Sequence, residues 1–425
     1  MNILSTVRTT EPLDPGGKIR KTKRALGLII FVMLMDVMGI TMLSPVAPQI
    51  ILRYSNKALM VSMIAVIYAS GQFVAAPLIG KLGDRYGRRP VLLLSVLGQS
   101  LGYLIFGLGG ALWVLFLGRL IGGITAGNLS TAGAYIADVS EPEERARNFT
   151  LIGTAWSLGL ILGPALGGVF GQISLEMPAV VAAALALVSV LLGIFLLPES
   201  LPVEKRQKAP MSLRDYNPIV SIFDMARKPG LGLLLLVNAL FSFAFNGASS
   251  TSALFVIQKF SAQTWQISLL LILSGVSIAA TNTLIVPRTV AYFGEKKSGI
   301  LSLLGLAVFY AAIFFAPYLW LLFPMHMLAS SMNSFIFPVL TTLSAERVEP
   351  REVGMLMGVT SAVGSITNIF GPLWAGLVYD HVMRGAPYWM GCFILLISAW
   401  TFSRSRTPAR IANARNKPGV TLPCA

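Results

Sequence analysis

Acid is scarce in this chain, and histidine is nearly missing. Its 425 residues hold 18 Asp and Glu against 33 Lys and Arg, with only two histidines. No His/Cys cluster at ligand spacing can be drawn from so few side chains, so no metal centre is expected. There is no glycine-rich phosphate loop and no Ser/His/Asp arrangement, which leaves ATP-driven pumping and hydrolysis without a basis. The chain is therefore not expected to be an enzyme. Of the two cysteines, Cys392 falls in an apolar run and Cys424 in a polar tail, which excludes a disulfide framework. Charged residues of both signs make up 12% of the chain, where a soluble domain carries about 25%. A single large soluble core is excluded.

Hydrocarbon takes the place of charge. Hydrophobic residues are 55% of the chain, and they recur in runs long enough to cross a bilayer. The runs lie at about 25–50, 59–79, 91–109, 111–137, 149–171 and 178–197, then at about 231–257, 266–286, 298–315, 317–343, 354–378 and 386–403. They are numbered here as spans 1 to 12. The polar stretch 198–230 divides them six and six, and a short amphipathic helix is expected near Leu213 to Met225. The organisation expected is a tail at 1–24, a half at 25–197, a linker at 198–230, a half at 231–403 and a tail at 404–425. Residues 1–24 are basic and lack a small-residue cleavage site, so the first run reads as a retained span.

With the N-terminus placed in the cytoplasm, 28 of the 33 cations fall on the cytoplasmic side. The opposite loops hold only Arg53, Lys57, Lys259 and Arg384, and Arg119 lies inside span 4. Short cytoplasmic loops collect Lys and Arg, so both termini are expected inside a multi-pass cell-membrane protein. The same distribution accounts for the +15 net charge without nucleic acid as a partner. Asn148-Phe149-Thr150 is a glycosylation sequon on the cytoplasmic side, where it would be unused.

The halves echo one another. Gly87-Arg88-Arg89 follows span 2, and Gly294-Glu295-Lys296-Lys297 follows span 8. Gly163-Pro164-Ala165-Leu166-Gly167 in span 5 matches Gly371-Pro372-Leu373-Trp374-Ala375-Gly376 in span 11. Duplication of this kind suits a transporter with its site between two halves near the membrane midplane.

The segment from Gly80 to Pro90, Gly-Lys-Leu-Gly-Asp-Arg-Tyr-Gly-Arg-Arg-Pro, reads as a loop that cannot enter hydrocarbon. It resembles the loop between helices 2 and 3 of the major facilitator superfamily, Gly-x-Leu-(Ala/Ser)-Asp-(Arg/Lys)-x-Gly-(Arg/Lys)-(Arg/Lys), and departs only at Gly83. The resemblance implies an all-α membrane fold of twelve transmembrane helices in two six-helix halves. It implies gating roles for Gly80, Asp84, Arg85, Gly87, Arg88 and Arg89, with Asp138 and Arg145 from an acidic-then-basic element after span 4. It also implies that Asp84 sits near the start of span 11, around Gly354, where a helix N-terminus favours an anion, and that Arg88 pairs with Asp138 or a neighbouring acid, contacts that hold the outward-facing state closed inside.

Span 5 carries Gly159-x-x-x-Gly163-Pro164-x-x-Gly167-Gly168. Glycines at i, i+4 and i+8 clear one helix face for close approach, and Pro164 removes a backbone hydrogen bond. The string resembles the motif of proton-coupled drug antiporters within the superfamily, which implies a conformational-switch helix and export. Arg119-x-x-x-Gly123 in span 4 matches the fourth-helix motif linked there to proton transfer. Span 1 holds Asp36, the clearest acid inside any span, with Ser44-Pro45-x-x-Pro48 downstream. That set resembles the first helix of tetracycline/proton antiporters and implies proton coupling through Asp36 and Arg119. The chain departs from those antiporters where their third helix carries an acid, here Gly102, and in span 9, where Leu301 to Phe315 holds none.

The second half contributes neutral polar groups. Asn246, His326, Asn333 and Asn368, with Phe243, Trp156 and Asp36, are the candidates for substrate binding, because an apolar cavity with few polar groups suits amphipathic molecules. Helix–helix hydrogen bonding is the other reading of each. The function expected is proton-driven export of small amphipathic, drug-like molecules by a monomer without a cofactor. The alternatives are a uniporter or importer of an organic metabolite, and a transporter-like sensor.

Overall fold

The computed structural model describes residues 15–141, 143–206 and 218–405. Among these residues there is no strand, and twelve helices are long and apolar enough to cross a membrane. They are Ala25–Leu52, Ala58–Tyr86, Arg88–Leu108, Leu112–Val139, Arg147–Gly171 and Met177–Leu196, then Leu231–Phe260, Thr264–Phe293, Glu295–Phe315, Leu319–Ala345, Val353–His381 and Ala386–Arg404. Only helices satisfy every backbone group within one segment, which is why apolar runs of this length fold so. Helix Pro218–Ala226 lies at the end of the linker; the start of the amphipathic helix expected there falls outside the described residues.

The Gly80–Pro90 segment corrects its reading as a loop. Span 2 stays helical to Tyr86, span 3 begins at Arg88, and one residue joins them. That residue is Gly87, at φ +106°, where a side chain would be strained. The reason is length: 29 residues rise about 43 Å, against about 30 Å of hydrocarbon. The charged last turns therefore stand clear of the lipid while remaining helical. Gly294, at φ +81°, joins spans 8 and 9 in the same way.

Small residues set the packing. A Cβ on Gly102 would lie 2.7 Å from the Gly118 carbonyl, and one on Gly71 would lie 2.9 Å from the Ile124 nitrogen, so spans 3 and 2 each cross span 4 backbone to backbone. A Cβ on Gly163 would lie 2.9 Å from the Met38 carbonyl of span 1. In the second half a Cβ on Gly371 would lie 2.8 Å from the Phe243 carbonyl of span 7. The two Gly-Pro motifs thus do the same job, seating the fifth helix of each half on its first. Between the halves, span 2 packs on span 11, and span 5 packs on the 264–280 part of span 8. Span 8 then passes through a π-helical turn, Thr281–Ile285.

Candidate functional site

Span 4 is not one helix. It breaks at Ala126 and Gly127 and restarts at Asn128. Gln72 of span 2 donates to the Ala126 carbonyl at 3.2 Å, one of the acceptors the break leaves free. The restart aims the Asn128 amide at span 1. There Asp36 Oδ1 accepts from Asn128 Nδ2 at 3.1 Å and from Gln99 Nε2 of span 3 at 2.9 Å. Gln99 and Asn128 are both buried. The acid is therefore held by neutral donors. Arg119 is also buried, at 8% exposure, with its guanidinium 4.9 Å from the centre of the Phe106 ring. No ion pair of 4 Å or less reaches Arg119 or Asp36 among the described residues. The Nε of Arg119 and the hydroxyls of Tyr68 and Tyr103 are buried without a hydrogen-bond partner.

Two cavities lie between the halves, of about 290 and about 340 Å³. Ser44, Ser249 and Ala253 line both, so they are lobes of one space. The first lobe reaches His326 and Asn333 of span 10, whose Nε2 and Oδ1 have no hydrogen-bond partner. The second is lined by Tyr68, Arg119, Asn246 and Asn368. Volumes of this size suit a drug-sized molecule.

The ends of the bundle differ. At the end bearing Arg53 and Lys57, the halves are closed on each other. Asp380, at the end of span 11, accepts from the backbone N–H of Ala58 at 2.7 Å and of Leu59 at 3.0 Å, the first turn of span 2. A Cβ on Gly376 would lie 2.7 Å from Leu59 Cα. Thr264 of span 8 donates to Gln49 of span 1 at 3.2 Å. At the basic end Arg88 gathers the acids of the first half, with Glu199 and Ser200 from the start of the linker, while Lys228 pairs with Glu352 in the second half. Arg88 holds Asp84 at 2.5 Å and Asp138 at 3.4 Å. Ser200 donates to Asp138 at 3.1 Å. Glu199 accepts from Arg88 N at 2.8 Å and Arg89 N at 3.3 Å, capping span 3. Added Cβ atoms on Gly80, Gly153, Gly354 and Gly364 would meet nothing within 4 Å among the described residues. The cleft between the halves opens toward the basic end.

The sequence profile of the Major Facilitator Superfamily matches residues 29–317 and 234–425. The chain belongs to this superfamily. The transporter is 35% identical to the class C tetracycline resistance protein of Escherichia coli, over 84% of the chain and 90% of that protein. It is 30% identical to human major facilitator superfamily domain-containing protein 10, over 81% of the chain and 78% of that protein. Among solved structures, the human organic anion transporter MFSD10 (TETRAN) superposes with a TM-score of 0.67 at 26% identity, covering 90% of this chain and 99% of that one. A bacterial homologue of the lysosomal transporter Spinster, described as inward-facing and unoccupied, matches with a TM-score of 0.73 at 18% identity, covering 94% and 99%. That last likeness shows the fold alone. The chain is thus a multi-pass membrane transporter of a small molecule, with drug-resistance proteins among its relatives.

The transporter's geometry sorts the residues expected from sequence. Asn246, His326, Asn333 and Asn368 line the cavity. Three others do not line either lobe. Phe243 is turned onto Trp374, ring centres 5.2 Å apart. Trp156 is 44% exposed on span 5, outside both lobes. Asp36 is engaged by Gln99 and Asn128 behind the lining. Asp84 is not at the start of span 11, because the halves part at that end; it turns to Arg88 instead. Arg85 lies 5.6 Å from the centre of the adjacent Tyr86 ring, and Arg145 is exposed at the start of its helix. The span 5 motif divides. Gly159, Gly163 and Gly167 face span 1 of the same half, while Gly168 meets Ser268 of span 8. Pro164 lines the first lobe.

Sequence reasoning missed Gln99, Asn128, Glu199 as a cap, and Asp380. One signal for Asp380 was present. Gly376-x-x-x-Asp380 ends span 11 as Gly80-x-x-x-Asp84 ends span 2.

Proposed function

We propose that this protein exports small amphipathic organic molecules in exchange for protons, by alternating access across a cell membrane, with both termini and the basic end in the cytoplasm. In that orientation the structure is the inward-facing state. The sequence assigns 28 of the 33 cations to tails and loops on one side of the spans, which supports the orientation. The drug-resistance relatives support export, and the gradient itself serves as the energy source, with no cofactor. The cavity lies within one chain, consistent with a monomer.

The observation that carries proton coupling is the setting of Asp36. It is an ionisable group inside a span, held by two neutral amides, with no cation within ion-pair distance. Such a carboxyl can exist charged or protonated without leaving a fixed counter-charge exposed. Arg119, in the same half, can favour the charged form as the halves rock. The acid that tetracycline antiporters carry in span 3 has no room here, because a Cβ on Gly102 would lie 2.7 Å from the Gly118 carbonyl. The substrate is therefore taken to be other than tetracycline.

Asp36→Asn in proteoliposomes tests the reading. The variant is expected to lose uphill, pH-driven accumulation while still exchanging substrate downhill. Intact uphill transport by folded Asp36→Asn would refute the assignment.

A further inference from the structure

Arg119 has no anion. It is buried, it lines the second lobe, its Nε is unpartnered, and no carboxylate lies within 4 Å of it. A guanidinium at this depth in a span, at the eighth residue of the helix, is unfavourable unless something compensates it. The Phe106 ring covers one face but does not carry a charge. The lining as a whole is one-sided as well. Neither lobe has an Asp or a Glu in its wall, and Arg119 is the single permanent charge.

Resting on the reading of this protein as a transporter of small amphipathic molecules, we propose that its substrates are organic anions, whose carboxylate or equivalent group is received by Arg119. Asn246 and Asn368 line the same lobe and offer side-chain amides to the second oxygen. The apolar body extends past Ser44, Ser249 and Ala253 into the first lobe. There the unpartnered His326 Nε2 and Asn333 Oδ1 receive a further polar group. A guanidinium takes a carboxylate in a two-point fork, so the contact selects for geometry as well as sign. An organic cation would meet like charge and would find no acid in the wall.

The test uses the full-length protein in detergent, without a proton gradient, and three probes that share one apolar body: 2-naphthylacetate, 2-naphthylacetamide and 2-naphthylethylammonium. Equilibrium binding is measured by displacement or calorimetry. The carboxylate is expected to bind at least about tenfold more tightly than either other probe. Arg119→Gln is expected to erase that preference, and Arg119→Lys to retain part of it. Equal or tighter binding of the ammonium or the amide to the wild-type protein would overturn the proposal. So would millimolar carboxylate that does not bind, or a carboxylate preference that persists in Arg119→Gln. If the Gln variant fails to fold, the wild-type ranking of the three probes still decides. The measurement needs no proton coupling. Loss of proton-driven transport with the ranking intact would sink the coupling reading alone, and the reverse result would sink this one alone.

Discussion

Spans 2 and 11 meet twice in principle and once in this structure. At one end Asp380 of span 11 reaches across to the first N–H groups of span 2. At the other, Asp84 of span 2 has the same place in its own helix, four residues after a glycine, yet it turns back to Arg88. A carboxylate at the end of one helix can cap the start of its partner, where the free N–H groups and the helix dipole favour an anion. The two ends cannot both be closed while the halves rock as rigid bodies. Under the proposed alternating access, the pairing is a choice between two equivalent caps. The basic end has, besides, a resting place for its acid: Arg88 and Asp138 of the first half form a network with Glu199 and Ser200 at the start of the linker.

The largest effect is expected from Gly376→Leu. Its Cβ would stand 2.7 Å from Leu59 Cα, a backbone atom that cannot yield cheaply. Overpacking of this kind costs about 1–3 kcal/mol, enough to shift the population about 5- to 150-fold toward the state open at that end. Spin-label distances between positions 55 and 382 would report the shift. Gly354→Leu, at the opposite end, meets open space and is expected to leave the present state unchanged. Equal responses from the two glycines would break the comparison.

Asp380→Ala should act in the same direction with less force. It removes two charge-assisted hydrogen bonds, but at an exposed position, so about 1 kcal/mol and a shift of about fivefold are expected. Asp84→Asn should leave that distance distribution unaltered and slow transport, since its cap belongs to the other state. Normal transport by Asp84→Asn would remove the second half of the comparison. The smallest effect belongs to Lys228→Gln. Its partner Glu352 is half-buried at the surface, and the Lys228 hydrogen bond holds that carboxyl below its usual range. Its contribution is present above the ordinary carboxylate range and lost only on acidification. Transport by the variant should therefore match wild type from about pH 5 to 8.

Length and apolarity made the spans legible from sequence, and the structure moves most of their ends by only a few residues. Charge misled at Gly80–Pro90. A polar segment was read as irregular because it could not lie in lipid, whereas the helix simply runs beyond the lipid to Tyr86. The break at Ala126–Gly127 was not legible, since glycine in span 4 also serves close packing, as at Gly123 against Tyr68. The ionisable members of the site, Asp36 and Arg119, stood out because charge inside a span is rare. Gln99 and Asn128 did not, because neutral amides are common in helix contacts and only the fold brings them to one carboxyl oxygen.

The crossing of spans 3 and 4 at Gly102 and Gly118 bears on how this transporter can change over generations. An acid, Asp or Glu, lies one nucleotide from any glycine codon, so an acid at position 102 is genetically near. It is sterically far, because two backbones already occupy the space. A lineage selected on a new antibiotic would find that route shut at its first step. Its open routes run through side chains that face the cavity, such as Asn246, Asn333 and Asn368, where one substitution changes what is carried without moving a helix.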